Sequence, residues 1–75
     1  MTPLLAKVLA VQKQGDHYRV AVRISLATYD GAFNTLAFGE NKPASGSCDH
    51  GRLDLVYQRD PGLKAGQPFP LWTLP

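Results

Sequence analysis

A chain of 75 residues makes one small domain, near the size at which a core barely outweighs chain entropy, so a tightly knit barrel or an oligomer is expected ahead of a deep catalytic cleft. Eight basic against six acidic residues leave a net charge of +2, a bias too mild to argue for nucleic acid unless the cations cluster. A single cysteine, Cys48, excludes an intrachain disulfide and a multi-cysteine zinc site, and it makes a reduced, cytoplasmic setting the expectation. The N-terminus has no basic region ahead of its apolar run, which Lys7 interrupts, so no secretory signal is expected. Nothing approaches the ~20 consecutive apolar residues of a membrane span, and no internal repeat is visible.

The first element, from Thr2 to Gln14, admits two readings. As a helix it would have Thr2 as N-cap, Pro3 in the first helical position and Gly15 just past the C-terminus, with Leu4, Leu5, Val8, Leu9 and Val11 in one stripe. As a strand it would enter a hairpin through Gly15-Asp16, a two-residue link between two apolar runs, with Gly15 supplying a positive φ. The strand is the preferred reading, because such a link is the strongest short-range hairpin signal. The register expected from the turn sets Val11 opposite Val20, Leu9 opposite Val22 and Leu5 opposite Leu26. Lys7 is the misfit, falling beside Ile24 on the buried face unless the strand bulges or its end lies clear of the core.

From His17 to Leu26 alternation is strict. Tyr18, Val20, Val22, Ile24 and Leu26 share one face, and His17, Arg19, Ala21, Arg23 and Ser25 share the other, which is the pattern of a half-buried strand. Asp30-Gly31 then predicts a turn between a further pair of strands, and Phe33 to Glu40 a short strand with Leu36 and Phe38 on one side. Gly39 to Gly51 has no periodicity and is dense in Gly, Ser, Pro and Asn, so it reads as a loop. Alternation resumes from Arg52 to Arg59, with Leu53, Leu55 and Tyr57 inward. Asp60-Pro61-Gly62 is a turn, after which Leu63 can plug the end of the core. The tail from Pro68 to Pro75 carries three prolines and is expected on an edge or across a barrel mouth, anchored by Trp72.

These elements predict an all-β fold: a five-stranded antiparallel barrel or strongly bent sheet of the SH3-like or OB-like kind, in one domain. A helix would replace the first strand under the alternative reading of the N-terminus.

Three clusters carry candidate chemistry. Cys48, Asp49 and His50 are the most reactive-looking, but sequence neighbours in a Gly/Ser loop lack the rigid platform that a thiol nucleophile and its base need, so a solvated loop is the preferred reading. With His17 they offer metal-ligand types without the paired spacing of structural zinc sites, and no cofactor is implied. Arg19 and Arg23, with Arg52 and Arg59, form the candidate nucleic-acid set; Ala10 and Ala21 between the first two would leave room for a flat partner, although a water-facing sheet surface is the simpler reading. Single-strand binding would also need exposed aromatics beside that face, and most of the seven aromatics are required for the core. Phe69, Leu71, Trp72 and Leu74 form the candidate interface, because alternation along an extended tail cannot turn all four inward. No phosphate-binding glycine loop, nucleophile elbow or paired-histidine motif is present, and the only available carboxylate pairs are Asp49 with Asp54 or Asp60.

The expectations for function follow in order. A non-catalytic interaction module comes first, self-associating as a dimer through Gln67 to Leu74 or binding a protein partner. A nucleic-acid-binding barrel comes second, and a small enzyme or ligand binder centred on residues 39–51 third, with no membrane partner.

Overall fold

The computed structural model describes residues 2–25 and 33–74. Its elements are strands β1 (Thr2–Leu4), β2 (Ala6–Gln14) and β3 (His17–Ile24), a 3-10 turn (Phe33–Thr35), and strands β4 (Leu36–Phe38), β5 (Ser45–Asp49), β6 (Arg52–Tyr57) and β7 (Leu71–Thr73). All strand pairs are antiparallel, in a four-stranded sheet ordered β2-β3-β6-β5 and a three-stranded sheet ordered β1-β7-β4. No α-helix occurs among the described residues, so the strand reading of the N-terminus holds. Among them, no helix is long and apolar enough to cross a membrane.

Among the described residues seven strands stand where the sequence pointed to five. The first predicted strand is broken at Leu5, so that β1 pairs with β7 while β2 pairs with β3. The other addition is β5, which lies inside the stretch 39–51 that composition marks as a loop. The turn pair expected around Asp30-Gly31 lies outside the described residues, as does Leu26.

The β2–β3 hairpin forms as the turn chemistry predicts, with Gly15 at φ 64° and Val11 opposite Val20. Nearer its open end the predicted register is one residue out. The ladder shifts between Val8 and Ala10, so Val8 rather than Leu9 faces Val22, and Lys7 faces Arg23 rather than Ile24. An extra residue in one strand re-aims every side chain beyond it. That is how the bulge at Leu9 takes Lys7 out of the core and puts Val8, 1% exposed, into it.

Between the sheets lies one core. Val20, Val22 and Ile24 of β3 and Leu53, Leu55 and Tyr57 of β6 occupy the alternate inward positions; Leu71 and Leu36 of the other sheet and Phe69, just before β7, join them in the core. Leu63, which follows the Asp60-Pro61-Gly62 turn, is buried in the same core. The Asp60 carboxylate accepts the Gly62 amide at 2.9 Å, and the Gln67 side-chain carbonyl accepts the Lys64 amide at 2.8 Å. These local bonds hold the turn that returns the chain to β2.

Only the first part of the tail lies on an edge, that of β2. Residues 66–69 run along β2, with the Val8 amide on the Gln67 carbonyl and the Phe69 amide on the Ala6 carbonyl, both at 2.9 Å. Beyond them β7 is the middle strand of its sheet. The three prolines lie outside Leu71–Thr73, so every residue of β7 keeps its amide donor and the restriction on proline in a central strand does not apply. Pro3 sits in β1, an edge strand, where proline is tolerated.

Candidate functional site

Alternation assigns each strand residue to the core or to an outward face, and the two outward faces collect most of the chemistry. On the four-stranded sheet, register sets Lys7 of β2 opposite Arg23 of β3, and Arg23 opposite Arg52 of β6. Three cations thus form one row across three adjacent strands, and Asp49 of β5 ends it. In the next outward row Ala10 faces Ala21, and Ala21 faces Asp54. Arg19 stands one further step along β3, between Gln12 and Val56. Ala10, Gln12, Arg19, Ala21, Arg52 and Asp54 line a depression of about 180 Å³ whose floor is the alanine pair.

Among the described residues, Arg52 alone of these cations has a carboxylate near it, with Nε 3.8 Å from the Asp54 Oδ1 and both side chains more than half exposed. Lys7, Arg19 and Arg23 form no ion pair among the described residues. Arg59, the fourth predicted arginine, lies beyond the end of β6, where it lines a separate depression with Glu40, Lys42 and Asp60. Lys7 takes its place in the row, and the sequence-based set lacks it because only the bulge turns that side chain outward.

The second face belongs to the three-stranded sheet. Pro3, Trp72 and Ala37 align across β1, β7 and β4. Trp72 is only partly buried, and depressions flank it on both sides. One, of about 300 Å³, is lined by Gly39, Glu40, Asn41, Phe69, Pro70 and Trp72. The other, of about 270 Å³, includes Pro3, Leu5, Pro68, Pro70 and Trp72. Leu5 is 80% exposed and Leu74 47%. Phe69 and Leu71, 2% and 1% exposed, belong to the core and leave the candidate interface to Trp72 and Leu74. Alternation had required one pair inward and one outward; Leu5, Pro3 and Pro70 are the outward neighbours that a tail-only reading misses.

Cys48, Asp49 and His50 are divided by the geometry. Cys48 lies on the inner side of β5 and packs against the core, whereas Asp49 is on the outer side. His50 has φ 47° and Gly51 φ 79°, so these two residues form the tight turn between Asp49 and its partner Arg52. Positive φ at both central positions is the type I′ requirement, and histidine is among the non-glycine residues enriched in that region. The His50 Nε2 is 3.5 Å from the Asp49 Oδ1 at the exposed tip. His17 lies at the opposite end of the sheet, half-buried, 3.3 Å from Asp16. Among the described residues no group of three or more His, Cys, Asp or Glu is placed to hold a metal ion.

Burial distinctly affects Tyr57. The Tyr57 hydroxyl donates to the Asn41 carbonyl at 2.8 Å, and desolvation pushes its pKa up to about 12. The bond ties the segment that lines the Trp72 depression to β6.

Comparison with known proteins returned no matching family model and no significantly similar curated protein or solved structure.

Proposed function

We propose that this protein is a non-catalytic interaction module, an open barrel of the SH3-like or OB-like kind working in the reducing cytoplasm, that self-associates as a two-fold dimer through the Trp72 face. The observation that carries this reading is the outward row Pro3, Trp72, Ala37 with Leu5 and Leu74 exposed beside it. An apolar face of this kind is costly to leave in water, and tryptophan is enriched among interface hot spots. Trp72 stands between two depressions, so a two-fold axis near it offers each copy's indole a recess on the other. Contact is face to face: Pro3 withholds an amide from the β1 edge and so opposes open-ended strand pairing. A protein partner with a complementary apolar patch is the alternative occupant of the same face.

Leu5→Glu is the decisive variant, because a side chain 80% exposed contributes little to the fold. Light scattering or sedimentation should report a dimer for the native chain, and a monomer with an unchanged circular dichroism spectrum for Leu5→Glu. A native chain that stays monomeric at high concentration removes self-association and leaves only the protein partner. A Leu5→Glu dimer of undiminished affinity removes this face altogether.

A further inference from the structure

We infer that the outward face of the four-stranded sheet binds the phosphate backbone of nucleic acid without reading its sequence. The inference concerns a different face from the proposed dimer contact and stands independently of it.

The first observation is the cost of the arrangement. Lys7, Arg23 and Arg52 are directly opposed across neighbouring strands, and like charges so placed destabilise a sheet. Nothing in the packing calls for them, since all three side chains point away from the core. The second is where the charge lies. Lys7, Arg19, Arg23 and Arg52 share this face with Asp49 and Asp54, which leaves it +2, while the other described charges, Lys13, Lys42, Arg59 and Lys64 against Asp16, Glu40 and Asp60, sum to +1. The positive charge of the described residues is therefore weighted toward one surface, as an electrostatic footprint requires.

The third observation selects the partner. An acidic protein would need apolar or aromatic anchors at the centre of the contact, and the centre here is the Ala10–Ala21 pair. Base-stacking recognition of single strands needs exposed aromatics, and no aromatic stands in the outward rows of Lys7, Ala10 and Gln12 that run across this sheet. What remains is charge with forked donors: arginine guanidinium groups match phosphate oxygens in pairs, and the small floor lets a backbone approach the sheet. The outer cations of the row stand roughly 10 Å apart, two inter-strand steps, so their long side chains can engage successive phosphates.

The test is fluorescence anisotropy with a labelled duplex of about 20 base pairs and a single strand of the same length, in two unrelated sequences, at about 50 and 200 mM salt. Binding should be equal for the two sequences. With about three phosphates neutralised, it should weaken about 40-fold between the two salt concentrations. The double variant Lys7→Gln/Arg23→Gln should lose most of the affinity, and its salt slope should fall by about 2. Lys42→Gln/Lys64→Gln, which removes the same charge elsewhere, should retain it. Thermal melts establish that both doubles fold, and Arg19→Gln serves as a second variant on the same face should the first double fail to fold. Absence of binding at low salt overturns the inference, as does equal loss in both doubles, which would make net charge rather than the row the cause. Polyglutamate competing as well as the oligonucleotide would overturn it in favour of an acidic protein.

Discussion

On the three-stranded sheet the residues pointing away from the core are Pro3, Trp72 and Ala37; on the four-stranded sheet they are Lys7, Arg23 and Arg52, with an alanine pair behind them. Both rows arise by the same device, antiparallel register acting on side chains that alternate between faces. Their inward counterparts are alike, aliphatic and aromatic residues meeting in one core. The outward sets are opposite in chemistry, and each carries a cost that folding does not require: apolar area left in water on one side, opposed like charges on the other. Features of that kind point to contacts outside the chain. Three perturbations separate the faces, the first breaking both, the second loosening the apolar side and the third acting on the cationic side.

The largest effect is expected at Gly46. The edge strands β4 and β5 belong to different sheets, and the Phe33 ring, carried by the turn before β4, lies against β5 at this glycine. A Cβ there would fall 2.6 Å from the Phe33 Cε1 and 2.9 Å from both the Asp54 carbonyl oxygen and the Leu55 Cδ2. The backbone oxygen cannot swing aside as a side-chain end can, so Gly46→Ala should cost about 1–3 kcal/mol. A 75-residue domain has roughly 4–11 kcal/mol in total. Urea denaturation should show one lowered midpoint, with dimerisation and polyanion binding weakening together. A midpoint unchanged by the substitution would mean that Phe33 does not hold this seam.

Gly46 also explains why β5 is not legible in the sequence. Its inward positions are Gly46 and Cys48, so Ser45–Asp49 shows no apolar alternation, and the missing bulk comes from Phe33, twelve or more residues away in sequence. By contrast β3 and β6 fill their own inward positions, and their faces can be read directly. The misfit of Lys7 signalled a bulge without locating it, because the choice between Leu9 and Val8 for the core depends on which packs better once the tail lies along β2. Arg19 and Arg23 were visible on one strand face, four residues apart around Ala21, but the alignment of Arg23 with Lys7 depended on that same bulge. Proline content misplaced β7 for a related reason. Composition was averaged over Pro68 to Pro75, whereas hydrogen bonding is decided residue by residue, and the three residues of β7 contain no proline.

A smaller and one-sided effect follows from Tyr57. Its pKa is raised from 10.0 to about 12 by burial, so the folded state holds the phenolic proton more tightly than the unfolded state does. The stability it contributes is present in full below pH 10 and is lost as pH rises through 12. Ionisation also removes the donor to the Asn41 carbonyl, freeing the segment beside Trp72 while leaving the row of Lys7, Arg23 and Arg52 in place. The measurement is a difference between two proteins that share every other group: the native melting temperature should fall more steeply between pH 10 and 12 than that of Tyr57→Phe. Parallel curves would show that the hydroxyl is not held by burial. At neutral pH, Tyr57→Phe should cost about 1 kcal/mol for the lost hydrogen bond.

The smallest effect, and the most specific to the cationic side, belongs to His50. Its φ of 47° places an L-residue in the left-handed region, as the first central residue of a type I′ turn whose second is Gly51 at 79°. Asparagine reaches that region at lower cost than most residues, and Asn-Gly is the preferred pair for this turn. His50→Asn should therefore stabilise the β5–β6 hairpin by about 0.5 kcal/mol. The turn joins Asp49 directly to Arg52, so a better turn holds one end of the cationic row more firmly and does not touch Trp72. Dimer affinity should be unchanged and polyanion binding unchanged or slightly tighter. The same substitution separates a turn from a reactive site: asparagine preserves the backbone conformation and removes the imidazole, so any activity depending on Cys48, Asp49 and His50 acting together would disappear while the melting temperature rose. A fall in stability would instead show that the imidazole makes a contact worth more than the relief of backbone strain, and the exposed position of His50 beside Asp49 argues against that.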